Sequence, residues 1–183
     1  MGEHVESGSE GVLLELGCGN AKTEGAIGAD INLHSQADLV CQLNRIPWPF
    51  RDRICRELRC FHVIEHLDDT FAVMAEIHRI CRPNARVKIR CPHFSCLYSY
   101  RNPTHVHHFA LDTFDYWLAD SPHVNYPVAE RFRLIRKNFE FGRALLSQPA
   151  RKFAEHFPHQ YEKHFAFIFP CQHIYVELEA VKH

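Results

Sequence analysis

Near its start the chain carries an apolar run, Val12-Leu-Leu-Glu-Leu16, that stops at Gly17-Cys-Gly19-Asn20. A short apolar run closed by turn residues reads as a buried parallel strand. Glycines at its end permit a tight turn and close approach of a ligand to the backbone. Parallel strands require crossovers, so this feature commits the chain to an α/β architecture. Further strands are expected at Ala26–Ile31, Ala37–Leu43, Glu57–His62 and Arg86–Cys91, the last alternating Val87, Ile89 and Cys91 with charged residues. Between the last two, Phe71, Met74, Ile77, Ile80 and Cys81 recur at helical spacing. Asp68, Asp69 or Thr70 can cap that helix, Arg79 and Arg82 suit its C-terminal end, and Pro83 stops it. Asp112–Ala119 reads as a short helix and Ser147–Lys163 as helix and connection. Phe132–Phe141 and Ile174–Val181 have strand composition and can close the sheet as an antiparallel pair.

The spacing of the first strands departs from the usual pattern. Only Ala21–Ala26 separates Asn20 from Ile27, and the gap to the third strand is no longer, whereas a parallel crossover usually takes about a dozen residues. The first two crossover helices are therefore expected to be shortened or missing. The sheet they would have covered should be buried by the N-terminal tail, by residues 142–170 or by a second subunit, which makes a homodimer possible. A polar, Gly/Ser-rich stretch, residues 1–11, reads as a flexible tail. Residues 12–183 read as a single domain, in keeping with a length of 183 residues.

A net charge of −1 argues against nonspecific attraction to nucleic acid or anionic membrane. No apolar run approaches the roughly 18 residues that span a bilayer, and the N-terminus has no signal-peptide pattern. Eight cysteines occur without any C-x-x-C pair, several within apolar stretches, as expected of a reduced, cytoplasmic protein.

The turn Glu15-Leu-Gly17-Cys-Gly19 is a poor dinucleotide fingerprint: Lys22 stands at its third glycine position, and Asp30 follows too soon. Charge points elsewhere. Glu15 would repel a pyrophosphate but suit a ligand with ammonium and sulfonium groups. Asp30, ending the second strand, can accept hydrogen bonds from two ribose hydroxyls. Together they describe a nucleoside with a cationic tail.

With the segments LELGCGN, IGADIN, ADLVCQLN, FHVIEHL and EIHRICRPNARVKIRCPHF, the chain resembles the class I S-adenosylmethionine-dependent methyltransferases from about Val12 to Val181. The resemblance implies a Rossmann-like open α/β sheet of seven strands, mostly parallel with an antiparallel C-terminal strand, and S-adenosylmethionine as cofactor. It also implies a methionine-binding turn at Glu15, Gly17, Cys18 and Gly19, and ribose binding at Asp30 beside Ile31. Gln42 and Leu43 would flank the adenine, and His62 would line the pocket near methionine and substrate. The chain departs from the family at three places: Gln42 replaces an Asp, Pro83-Asn84-Ala85 replaces Pro-Gly-Gly, and Arg56 stands where an Asp is usual.

Residues 92–110, rich in His, Tyr and Pro, follow the fifth strand and should roof the acceptor side. His93 and His105 are the candidate general bases, since imidazole titrates near neutrality. Glu65 and His66 read as structural. His105 and His107, two apart, could share a metal ion with His93 or Cys96, although no resident metal is expected. The expected function is methyl transfer to a small-molecule or glycan acceptor. The alternatives are a non-catalytic cofactor-binding or scaffold protein and a metal-binding module built on the His-rich loop.

Overall fold

The computed structural model describes residues 11–121, 129, 131–142 and 147–182, so most of the anticipated N-terminal tail lies outside the described residues. Seven strands form one sheet: β1 (Val12–Leu16), β2 (Ile27–Asp30), β3 (Leu39–Val40), β4 (Cys55–Phe61), β5 (Cys81–Pro92), β6 (Arg131–Glu140) and β7 (His173–Val181). Their order is β3-β2-β1-β4-β5-β7-β6. The first five are parallel, and β7 runs antiparallel to both β5 and β6. The strand order reverses between β1 and β4, and open sheets bind ligands at such a reversal, outside the strands' carboxyl ends.

Among the described residues the long crossover helix is α1 (Thr70–Ile80). The Asp69 carboxylate caps it, accepting from Phe71 N at 2.9 Å and Ala72 N at 3.0 Å. It ends where Cys81 turns extended, two residues before Pro83, as the steric restriction ahead of a proline favours. Val73, Met74, Ile77 and Ile80 are buried from it into the core, each worth about 1.5–3 kcal/mol. They meet Leu14, Leu16, Leu58, Cys60, Val87, Ile89, Val176 and Leu178 from the sheet. Arg79 fixes the incoming loop. Its guanidinium grips Glu76 through Nε and Nη2 at 2.9 and 2.7 Å, donates to Asp52 Oδ1 at 2.6 Å, and reaches the Phe50 and Trp48 carbonyls. Glu76 accepts the Trp48 backbone N–H, while the Trp48 indole donates to the Leu43 carbonyl.

The expected loss of the first two crossover helices is what the chain shows: only loops join β1 to β2 and β2 to β3. Right-handed crossovers place those helices on the face opposite α1, so that face has no helix from them. A strap, residues 18–26, runs there instead. Lys22 pairs with Asp38 at 2.7 Å, and Arg59 donates to Thr23 Oγ1 at 3.0 Å.

The expectation that this face must be buried is corrected by its composition. Register aligns Glu57 with Arg86, Lys88 with Glu177, and Arg133 with Glu179. Ion pairs run across the strands, as Lys88–Glu57, Arg133–Glu179, Arg136–Glu177 and Arg90–Glu140, and along β4 as Arg59–Glu57. A ladder of charges tolerates water, so no covering layer is required. Residues 147–169 lie elsewhere. After α2 (Leu97–Arg101), in the segment following β5, and α3 (Ser147–His156) comes α4 (Pro158–His164), whose Tyr161 packs on Phe139 and Phe141 beside β6. All eight cysteines are buried, with free thiols.

Candidate functional site

A hollow of about 470 Å³ opens at the carboxyl ends of β1, β2 and β4, where the strand order reverses. Gly17, Asp30, Ile31, Gln42, Leu43 and His62 line it. Cys41, Asn44, Val63, His66, Leu67 and Thr104 complete the wall. Its size suits a drug-sized ligand.

Gly17 adopts φ +61°, and a Cβ there would fall 2.1 Å from Val63 Cγ2. Gly19, at φ +51°, has open space where a Cβ would stand. The turn is held from behind: Gly19 N donates to Asp30 Oδ2 and Asn32 N to Asp30 Oδ1, both at 2.8 Å. Each of those oxygens keeps a further lone pair, so Asp30 can order the turn and still accept from a diol. His62 follows β4 with φ +58°, an uncommon conformation for a side chain with a Cβ and one that gathers at functional sites. Its ring meets His173 edge-on at 4.8 Å. Burial, then the neighbouring His62 and Arg90, push the His173 imidazole down to about 4.

The structure brings together Gly17, Asp30, Ile31, Gln42, Leu43 and His62 but not every residue singled out in the sequence. Glu15 shares its register with Arg59 on the charged face and spends Oε2 on Thr23 N at 2.7 Å, so it braces the strap and does not reach the hollow. Cys18 is buried, with Sγ beside Gly28; burial, then Asp30 and Glu15, raise its thiol pKa. His93 is wholly buried at 0% exposure. Ser95 N donates to its Nδ1, which leaves Nε2–H for Glu162 Oε1 at 3.1 Å, and Glu162 also holds Leu111 N. His93 therefore ties the loop after β5 to α4, and the geometry gives it no path to an acceptor.

His105 lies half-buried, 4.6 Å edge-on from the His66 ring. The loop that carries it is fastened to the turn after β4, with Val106 N and His107 N donating to the Glu65 carbonyl at 2.9 and 3.4 Å. His107 hydrogen-bonds the distant Asp68 carbonyl, and His108 the Ser99 hydroxyl. Sequence reasoning missed His66 and Thr104 as wall residues. Only the Glu65–loop pairing, a contact between distant segments, reveals them.

The donor set fits an adenosyl group: a carboxylate for a sugar diol, an amide at Gln42, apolar Ile31, Leu43 and Leu67 for a flat base, and a glycine turn whose backbone is open.

No family model matches the chain, and no curated protein does either. Solved structures do. A SAM-dependent methyltransferase from Archaeoglobus fulgidus is 18% identical with a TM-score of 0.65, and the match covers 92% of this chain and 86% of that one. One from Mesorhizobium loti is 12% identical with a TM-score of 0.57, over 92% and 90% of the two chains. The [4+2]-cyclase SpnF is 15% identical with a TM-score of 0.57, over 94% and 76%. The strand order, the antiparallel β7 and these superpositions give one result: the chain has the fold of the class I S-adenosylmethionine-dependent methyltransferases.

Proposed function

We propose that the hollow binds S-adenosylmethionine and that the chain transfers its methyl group to a small-molecule or glycan acceptor, in the cytoplasm. The observation that carries this reading is the convergence of Asp30, Gln42, Leu43, His62 and Gly17 on one cavity at the reversal of strand order. When bound, the cofactor supplies an electrophilic methyl on a sulfonium. The chain's part is placement. Asp30 accepts from the ribose hydroxyls while its backbone partners hold it still. Leu43 and Ile31 cover the base, and Gln42 meets its polar edge without charge. Glu15 acts one step back, holding the strap that supports the turn. His105 is the imidazole on the acceptor side, through the loop pinned to Glu65. In-line methyl transfer depends chiefly on such positioning.

The test is calorimetric titration with S-adenosylmethionine and S-adenosylhomocysteine. Asp30→Ala should weaken binding by about 1–3 kcal/mol, the cost of unpairing hydroxyls from a charged acceptor. An affinity unchanged by Asp30→Ala would contradict the placement. A second reading, cofactor binding without methyl transfer, is favoured by the burial of His93 and by the presence of a cyclase on the same fold. Tight binding with no consumption of cofactor across an acceptor panel would support it.

A further inference from the structure

Glu65 presents an unusual charge. It sits at the 3-10 turn Ile64–His66 after β4 and is only 1% exposed, yet neither carboxylate oxygen has a hydrogen-bond partner. Its ion-pair contact is with the His62 imidazole, whose Nδ1 stands 3.5 Å from Oε1, too poorly placed for a hydrogen bond and charged only when that ring is protonated. A buried carboxylate without hydrogen bonds costs several kcal/mol unless something compensates it. A second orphan lies beside it, the buried Nδ1 of His105. One ligating atom from each of Glu65, His66 and His105 lies within 4.8 Å of the other two.

The third member is set up by its neighbours. Thr104 Oγ1 donates to Asn102 Oδ1 at 2.9 Å, so the same oxygen accepts from His66 Nδ1 at 2.8 Å. The proton then resides on Nδ1, and Nε2 keeps a free lone pair. A hydrogen bond on the far ring nitrogen is the usual way a metal-ligating imidazole is oriented. The surrounding loop is rigid as well: Asn102 also caps Thr104 N, and Val106 N and His107 N clasp the Glu65 carbonyl.

We propose that Glu65, His66 and His105 bind a divalent cation of the zinc class at the edge of the hollow. Two imidazoles and a carboxylate are a recurrent ligand set for such ions, and three protein ligands leave a position open on a tetrahedral centre. Because His66 also lines the hollow, an ion held there borders it and offers that position to an acceptor oxygen or amine. His105 then serves the acceptor through the ion. This set differs from a His105–His107 pair, in which Nε2 of His107 is engaged by the Asp68 carbonyl.

The test uses the untagged full chain, stripped with chelator and titrated with Zn²⁺ alone, read by metal content after dialysis and by thermal melting. The expected result is one zinc per chain and a raised melting temperature. Glu65→Gln and His105→Ala should each weaken binding by about tenfold or more, while His107→Ala should not. In the metal-free state Glu65→Gln should melt no lower than the parent, since it removes a buried charge that no hydrogen bond compensates. That result also shows the variant to be folded. Absent stoichiometric zinc, zinc retained by both ligand variants, or a lower metal-free melting temperature for Glu65→Gln would each overturn the assignment. None of these readouts requires S-adenosylmethionine, so the outcome stands apart from the cofactor titration.

Discussion

Asp30 and Glu15 bring the same carboxylate into opposite surroundings. One ends its strand at the hollow and keeps lone pairs free, while the other is turned by strand alternation onto the charged face and braces Thr23. The glycines of the turn also differ. At Gly17 an alanine must take φ +61° and press its Cβ against Val63, whereas at Gly19 only the backbone conformation is penalised. Gly17→Ala should cost about 2–4 kcal/mol and Gly19→Ala about 1 kcal/mol, as measured by urea denaturation; equal losses would contradict the close packing at Val63. His173 carries a pH signature. It titrates at about 4 when folded, against about 6.5 when unfolded. Between those values the unfolded chain takes up a proton that the folded chain refuses. Stability should therefore fall as pH drops from about 6.5 to about 4, by up to about 3 kcal/mol. His173→Gln should flatten melting temperature against pH in that window, and an undiminished slope would contradict the burial argument.

Among the elements, α1 and the 43–52 loop depend on one side chain. Arg79 gathers Glu76, Asp52 and two carbonyls, one of them that of Trp48, whose indole in turn donates to the Leu43 carbonyl at the edge of the hollow. Lysine cannot form this fork. Arg79→Lys should lower stability by roughly 2–3 kcal/mol in chemical denaturation, and a loss under about 0.5 kcal/mol, the range of ordinary surface changes, would show the network to be incidental. Much at this scale was legible beforehand. The β1 turn, the α1 periodicity and the short gaps after β1 and β2 fixed the strands, the helix and the missing crossovers. Asn84 takes a left-handed turn at φ +63°, a conformation that asparagine tolerates better than most residues. The fate of His93 was not legible: its partner Glu162 lies far away in sequence, and a histidine bound for burial looks the same as one bound for catalysis.

For the whole molecule, the lesson lies in β5. Val87, Ile89 and Cys91 alternate with Arg86, Lys88 and Arg90, and such alternation belongs to strands with one face in water. That pattern fits a sheet with a single apolar face, although the short gaps after β1 and β2 led to the expectation of a covering layer. The pairing of those charges into a cross-strand ladder required the register of β4, β6 and β7. The site likewise emerges only when β1, β2 and β4 are laid side by side. Gly17, Asp30 and His62 could each be named from the sequence, but the Glu65–loop contact that brings His105 beside His66 could not. The central claim, that this hollow holds an adenosyl group, is tested most directly by a crystal structure of the chain grown with S-adenosylhomocysteine. The account predicts ribose hydroxyls within hydrogen-bonding reach of Asp30 and the adenine against Leu43. Density for the nucleoside elsewhere, or none at saturating ligand, would contradict it.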